Sequence, residues 1–326
     1  QDTIKRLMDD NPEYLVTVFL YMLACDRLAI PKSRQMRMSW ATTAFAVWHS
    51  MTAPYRTTLY QTKKENDAFA MVTEGSKNPA AGRMDFILQH LPGWLADPNI
   101  LSGRGNQVGG LNFSPQRLDR NSGAEITWYG SAIRALPQGA DQVRQYTYSL
   151  LISDESSFQE EFTNSMVAAQ AAGTDGGKIF AISSVMAGSG FNRLVLESVD
   201  GVLPFENQQI HPTVMLGLRA FGMQFPKGLR SWLTPSGWWT LEVHYSADPR
   251  KDPARDGAAW VEKALKGYVG GADSSGWKTE MEIDYSAGGG TPVFPFLTAK
   301  DSPVFIGHKS HEWVLNNLSL YGGYDD

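Results

Sequence analysis

The chain has 326 residues, of which 42% are hydrophobic and 19% charged, enough apolar material for a core and too much for a disordered chain. At roughly 150 residues per domain, that length allows about two domains, or one large α/β domain with an appendage. Twenty-nine Lys and Arg against 34 Asp and Glu give a formal net charge of −5, which excludes a polybasic, histone-like protein but leaves room for a local basic groove. The single cysteine, Cys25, forbids an intramolecular disulfide and a cysteine-based zinc site, and points to a reducing compartment. No segment reaches the roughly 18 apolar residues of a membrane-spanning helix. The nearest, residues 15–25, is closed by Asp26 and Arg27 and suits a buried helix. The start at Gln1, without a signal peptide, and the stop at Asp326 after an apolar stretch both read as cuts in a longer protein.

Residues 11–25 carry a helical pattern, and 26–30 (DRLAI) read as a short buried strand. The polar turn 31–39 (PKSRQMRMS) opens into 40–48 (WATTAFAVW), an apolar run long enough for a buried helix. Residues 55–61 (YRTTLYQ) are β-branched and aromatic and read as a strand, followed by charged residues 63–67 and another helical run. This is the βαβ rhythm of a parallel sheet covered on both faces. A glycine-rich loop at 102–110 precedes short strands at 126–128 and 131–135. Residues 146–152 (YTYSLLI) form the clearest central strand, ending in Ser153-Asp154-Glu155. A helix over about 158–172 leads to another buried strand, 178–183 (KIFAIS). Beyond Gly201 the chain is rich in Pro, Gly and Trp, with a strand at 238–245, a linker at 286–292 (SAGGGTP) and the first strand of a further domain at 314–321. There is no internal repeat.

Two segments carry chemistry. The strand tip Asp154-Glu155 sets two carboxylates at the sheet edge where α/β ligands bind. In nucleotide hydrolases the first such acid holds Mg²⁺ and the second polarises the attacking water, although two solvated acids at an ordinary strand end read the same way. The second segment is the loop 32–39 between a strand and a helix. A phosphate loop needs backbone N–H groups aimed at the anion, a cation for the β/γ phosphates and a hydroxyl for the metal. Against G-x-x-x-x-G-K-[ST], Ser39 fits the hydroxyl position, but Lys32 and Arg37 stand where glycines belong and Met38 where lysine belongs. What remains is Lys32, Arg34 and Arg37 around a helix N-terminus, which a basic surface turn would also offer. Other features read as structural. His308, His311 and Glu312 lack zincin spacing, and Gly188-Ser189-Gly190 and the glycines of 267–271 lack a following Lys-Ser/Thr. The ten tryptophans and Cys25 read as packing, and Ser153 lacks the G-x-S-x-G turn of a triad serine.

The basic turn and the acidic tip about 115 residues later, taken together, resemble the large terminase subunit of tailed bacteriophages, the ATPase that packs DNA into the capsid. Its phosphate loop often takes the form K-x-R-Q-x-G-x-[ST], which residues 32–39 follow except at Arg37. Residues 60–68 (YQTKKENDA) resemble its next strand and helix start, 130–137 (GSAIRALP) and 144–147 (RQYT) the run into its acidic strand, 181–184 (AISS) its coupling motif, and 277–295 the tail that leads to its nuclease. The ordered set spans most of the chain.

The resemblance implies an additional-strand P-loop NTPase, with a mainly parallel sheet and helices on both faces. It places the ATPase core in residues 1–199, a small C-terminal subdomain and linker in 200–313, and the first strand of a truncated RNase H-like nuclease in 314–326. Asp325 would be that nuclease's first metal-binding aspartate, and one strand alone builds no two-metal site, so this chain would have no nuclease activity. The implied cofactors are ATP and Mg²⁺. Arg34 with Lys32 would bind the β/γ phosphates beside Gln35, Ser39 and Asp154 would hold Mg²⁺, Glu155 would be the general base, Ser183 and Ser184 would relay loss of the γ-phosphate, and Arg144 would be an arginine finger reaching a neighbouring subunit. The implied partners are double-stranded viral DNA, the portal protein, the small terminase subunit and further copies in a ring on the portal, the isolated chain being a monomer. The implied location is the host cytoplasm, with transient docking on the procapsid and no membrane. Two other readings fit the same residues: a helicase-like additional-strand ATPase, and a degenerate P-loop module that binds DNA or a partner without hydrolysis.

Overall fold

The computed structural model describes residues 13–53, 55–72, 82–92, 110–113, 131–198 and 206–287. Short apolar runs bounded by polar residues form its sheet: β1 (Arg27–Pro31), β2 (Thr57–Gln61), β3 (Gly110–Phe113), β4 (Ser131–Leu136), β5 (Tyr148–Asp154), β6 (Gly173–Ser183), β7 (Leu229–Leu233) and β8 (Trp239–Val243). The strand order is β3-β4-β2-β5-β6-β1-β8-β7, parallel throughout except for the antiparallel edge strands β3 and β7.

Parallel strands must bury both faces, and successive side chains divide between them. Leu28, Ile30, Leu150, Ile152, Phe180 and Ile182 face one core, under α1 (Glu13–Ala24) and α2 (Met38–Met51), where Tyr14, Val18 and Phe45 are fully or almost fully buried. Ala29, Leu151, Ile179 and Ala181 face the other, under α6 (Phe162–Ala172) and α7 (Gly190–Val195). The remaining helices are α3 (Glu65–Val72), α4 (Arg83–Gln89), α5 (Ala140–Arg144), α8 (Pro212–Ala220), α9 (Ala258–Leu265) and α10 (Ser275–Glu280). Buried Trp232, Trp238 and Trp277 belong to the cores, as packing.

Two expectations change. The helix read from residue 158 starts at Phe162, because a 3-10 turn at Ser156–Phe158 and extended Gln159 intervene. The chain also does not separate at residue 199. β8 pairs directly with β1, so the segment after 200 completes the same sheet, and residues 1–287 form one compact unit. The division falls at Ala287–Gly288, inside the glycine-rich stretch read as a linker. The strand at 126–128, the loop at 102–109, His308, His311, Glu312 and Asp325 lie outside the described residues.

His49, buried on α2, makes the fold sensitive to acid. Arg56 Nη1 donates to its Nδ1 at 3.3 Å and to its backbone oxygen at 2.9 Å, while its Nε2 meets Ser149 Oγ at 3.0 Å. A ring nitrogen that accepts from a guanidinium leaves the proton on the other, so the neutral form is held. Burial, then the Arg56 charge, push its pKa from 6.5 to about 4. Between those values the unfolded chain binds a proton that the folded chain does not. Stability is therefore complete above the unfolded pKa and falls with pH towards the folded one, by up to about 3 kcal/mol. Urea unfolding at pH 7 and pH 4.5 tests this: His49→Gln should lose about 2–3 kcal/mol less than wild type across that interval. Equal losses would assign the acid sensitivity to other groups.

Candidate functional site

The strand registers gather the chemistry at one edge. Pro31 lies beside Ser183, Ile182 beside Asp154, and Ser153 beside Gln61. Each of these parallel strands therefore delivers its next residues to the same carboxyl edge, where open α/β sheets bind ligands. A cleft of about 320 Å³ lies there, lined by Lys32, Arg34, Lys63, Glu155, Phe158, Ser184 and Glu280.

The acidic wall is built by β5. Asp154 is buried, accepting from Tyr60 Oη at 3.0 Å on Oδ2 and from the Glu155 N–H at 3.0 Å on Oδ1. Tyr60 also meets Thr42 Oγ1 at 3.2 Å; burial, then the Asp154 charge, hold its phenol protonated, so it remains a donor. Glu155 sits at φ 57°, a left-handed bend that ends the strand. Gln159 Nε2 donates to Asp154 O at 2.8 Å and Ser153 Oγ at 3.1 Å, and the Ser157 N–H donates to Ser183 Oγ at 3.0 Å, so the bend is tied to both β5 and β6. Burial raises the Glu155 pKa; the charges of Asp154 and Asp67 add to this, and Lys32 and Lys63 oppose it. A raised carboxyl at a strand tip is suited to taking a proton near neutral pH.

The basic wall is the loop after β1. Its first three amides are occupied: Lys32 N–H donates to Ser183 O at 2.9 Å, Ser33 N–H to Val243 O at 2.9 Å, and Arg34 N–H to Glu280 O at 2.7 Å. Gln35 and Arg37 then take positive φ, 62° and 57°. The backbone N–H groups of residues 35–39 have no hydrogen-bond partner among the described residues, and they lead into the 14-residue helix α2. Unpaired amides at a helix N-terminus form an anion cradle. Burial lowers the Lys32 pKa, opposed by the charges of Asp154 and then Glu155, so this side chain lies in the field of both carboxylates. Arg34 is held elsewhere, donating from Nη1 to Glu280 Oε1 at 2.8 Å and Oε2 at 2.7 Å, and Tyr268 Oη donates to the same carboxylate at 2.8 Å.

Of the residues singled out from sequence, Lys32, Arg34, Glu155 and Ser184 line the cleft. Asp154 and Ser183 are buried next to Glu155 and Ser184, and Gln35 is exposed beside Arg34 in the loop. Ser39 is half-buried in the first turn of α2 and is not among the lining residues. Arg144 is exposed, pairs with Asp141 at 2.8 Å and likewise does not line the cleft. Of the two cations expected to share the phosphates, Arg34 is paired with Glu280, and Lys32 is the one on which the charges of Asp154 and Glu155 act. Sequence reasoning missed Lys63, Phe158 and Glu280. Lys63 had a signal, since it follows a strand that ends at the same edge; Glu280 had none, because its partner Arg34 lies 246 residues away.

The strand carrying Lys32 is separated from the strand carrying Asp154-Glu155 by one inserted strand, β6. This is the additional-strand P-loop arrangement. No family model matches the chain, and no curated protein sequence matches it. Among solved structures it is similar to the large terminase ATPase domain of Thermus phage P74-26, with a TM-score of 0.49 and 12% identity, over 83% of this chain and 92% of that one. It is also similar to a large terminase of a thermophilic bacteriophage solved in complex with ADP, with a TM-score of 0.34 and 14% identity, over 53% of this chain and 38% of that one.

Arg37 occupies a glycine's conformation with an exposed side chain and makes no side-chain cap. A left-handed L-residue costs about 1–2 kcal/mol, and glycine gives back about 0.4–1 kcal/mol through the unfolded chain. Relief exceeds entropy. Arg37→Gly should therefore stabilise the fold by about 0.5–1 kcal/mol in urea unfolding, with Arg37→Ala near neutral. A destabilised glycine variant would mean that the arginine side chain contributes more than the bend costs.

Proposed function

We propose that the chain is the ATPase motor of a viral DNA-packaging terminase, hydrolysing ATP with Mg²⁺ and coupling this to movement of double-stranded DNA into a procapsid. The observation that carries the ATPase reading is that Lys32, after β1, and Glu155, after β5, line one cleft with a single strand between theirs, next to a row of unpartnered amides. The cleft suits the nucleotide: Lys32, Arg34 and Lys63 offer cationic donors to it, and the unpartnered amides of residues 35–39 follow Arg34 in the same loop. It also suits Mg²⁺. Among the described residues no three His, Cys, Asp or Glu cluster, and Mg²⁺ needs only one or two protein carboxylates beside phosphate oxygens and water.

Bound ATP and Mg²⁺ supply the phosphoryl group and neutralise charge on it. The amides of residues 35–39 and Lys32 orient the phosphates, with Arg34 at the rim. Asp154, its second oxygen fixed by Tyr60, offers its carboxylate to the metal together with the Ser39 hydroxyl. Glu155 accepts a proton from water. Ser183, bonded to the turn after Glu155, and Ser184, in the cleft wall, connect the state of the site to β6. Arg37 takes the glycine-like backbone that the loop requires, which favours a working loop over a degenerate one.

The motor role, with DNA, the portal protein and the small terminase subunit as partners, is drawn from the ordered sequence resemblance. In that role copies form a ring, and exposed Arg144 serves a neighbour's site. The isolated chain is then a weakly active monomer in the host cytoplasm until it docks. Among the described residues no helix is long and apolar enough to cross a membrane.

Glu155→Ala should lower turnover by at least about 10²-fold while nucleotide Kd stays within about threefold, because the base acts on water rather than on the bound ground state. In the wild type the acid limb of the rate profile should lie above the ordinary glutamate value, in the direction its burial sets. Steady-state ATPase assays with a parallel binding titration check both, and near wild-type kcat in the variant would remove Glu155 from the role.

A further inference from the structure

The phosphate loop takes two left-handed turns at residues that are not glycine, and something other than glycine must hold them there. Lys251, far along the chain, is 9% exposed, and its Nζ donates to Gln35 O at 2.5 Å. The same ammonium lies 3.8 Å from Met36 Sδ and 4.9 Å from the centre of the Trp260 ring, on α9. Its own position is rigid. Asp248 accepts from the N–H, Nε and Nη2 of Arg250, and Asp252 accepts from the Ala254 N–H and pairs with Arg255. Gly257 packs so closely that a Cβ there would meet the Lys251 carbonyl carbon at 2.2 Å. A second donor grips the next peptide: Tyr14 Oη donates to Met36 O at 3.2 Å.

A trans peptide is planar, so the C=O of one residue and the N–H of the next point in opposite directions. Drawing the Gln35 carbonyl towards Lys251 therefore turns the Met36 N–H away from it, and drawing the Met36 carbonyl towards Tyr14 does the same for the Arg37 N–H. Both of these amides lack a partner among the described residues. The cradle exists because its carbonyls are held from behind.

We infer that Lys251 is a positioning residue of the phosphate loop, holding the Gln35 peptide in the orientation that presents the Met36 N–H to a nucleotide phosphate. It does from outside the loop what a glycine at position 35 would do by itself, since glycine enters the left-handed region without cost. The inference rests on the nucleotide-binding reading of the cleft and assigns the loop geometry to a side chain 216 residues away.

Titration with a fluorescent ADP analogue tests it, with thermal melting as the control for folding. Lys251→Met should weaken binding by at least about tenfold, and Gln35→Gly added to that variant should restore Kd to within about threefold of wild type. A purely structural lysine would not be rescued at position 35. Unchanged affinity in Lys251→Met, or a loss that Gln35→Gly fails to recover, overturns the inference. If Lys251→Met does not fold, Lys251→Arg with and without Gln35→Gly makes the same comparison, with a smaller loss expected and the same recovery required. A wild-type chain that does not bind the analogue defeats the site reading itself, and this inference with it; binding by wild type and by Lys251→Met alike defeats only this inference.

Discussion

The hydrogen-bonded register of β1, β6 and β5 is the constraint from which the site follows. Pro31 beside Ser183 and Ile182 beside Asp154 place the end of one strand within two strand widths of another. Adjacent strands lie about 4.8 Å apart. A long cation leaving β1 and a carboxylate leaving β5 then line one cleft across the intervening β6, and the buried core on both faces keeps that register from slipping. A shift of one residue in β5 would turn Leu150 and Ile152 out of one core and exchange the places of Asp154 and Glu155. Packing and chemistry therefore depend on the same pairing.

The loop itself is supported from the far end of the chain. Val243 and Glu280 accept its amides, Met281 accepts the Ser33 hydroxyl, Glu280 holds the Arg34 fork, and Lys251 takes the Gln35 carbonyl. A glycine-rich phosphate loop can adopt its turns largely by its own conformational freedom. This one contains no glycine between Lys32 and Ser39; Lys251, between β8 and α10, holds the carbonyl of its first left-handed residue, and Tyr14 of α1 holds the carbonyl before the second. The segment after residue 206 thus supports the loop after β1 as well as completing the sheet.

Much of this was legible along the sequence. The runs read as strands at 26–30, 146–152 and 178–183 overlap β1, β5 and β6, and the acids at 154 and 155 mark the edge where the cleft lies. The loop was legible as a basic turn before a helix but not as a cradle, because a motif counts glycines whereas the backbone needs only positive φ, which Gln35 and Arg37 supply. The extent of the compact unit was misread. The Pro, Gly and Trp content after residue 200 hides β7, and the place of β8, itself read at 238–245, beside β1 is set by long-range pairing rather than by local pattern. Glu280 and Lys251 gave no signal for the same reason, since their partners lie more than two hundred residues away.

The central claim is that the β1 loop and the β5 tip form one nucleotide site with Lys32 as its phosphate cation. A crystal structure of the chain with Mg²⁺ and a non-hydrolysable ATP analogue tests it most directly. Phosphate oxygens should lie within hydrogen-bonding distance of the amides of residues 35–39 and of Lys32 Nζ, with the metal on the Asp154 side. Density for the nucleotide at any other edge of the sheet, or phosphates that bypass Lys32, would contradict it.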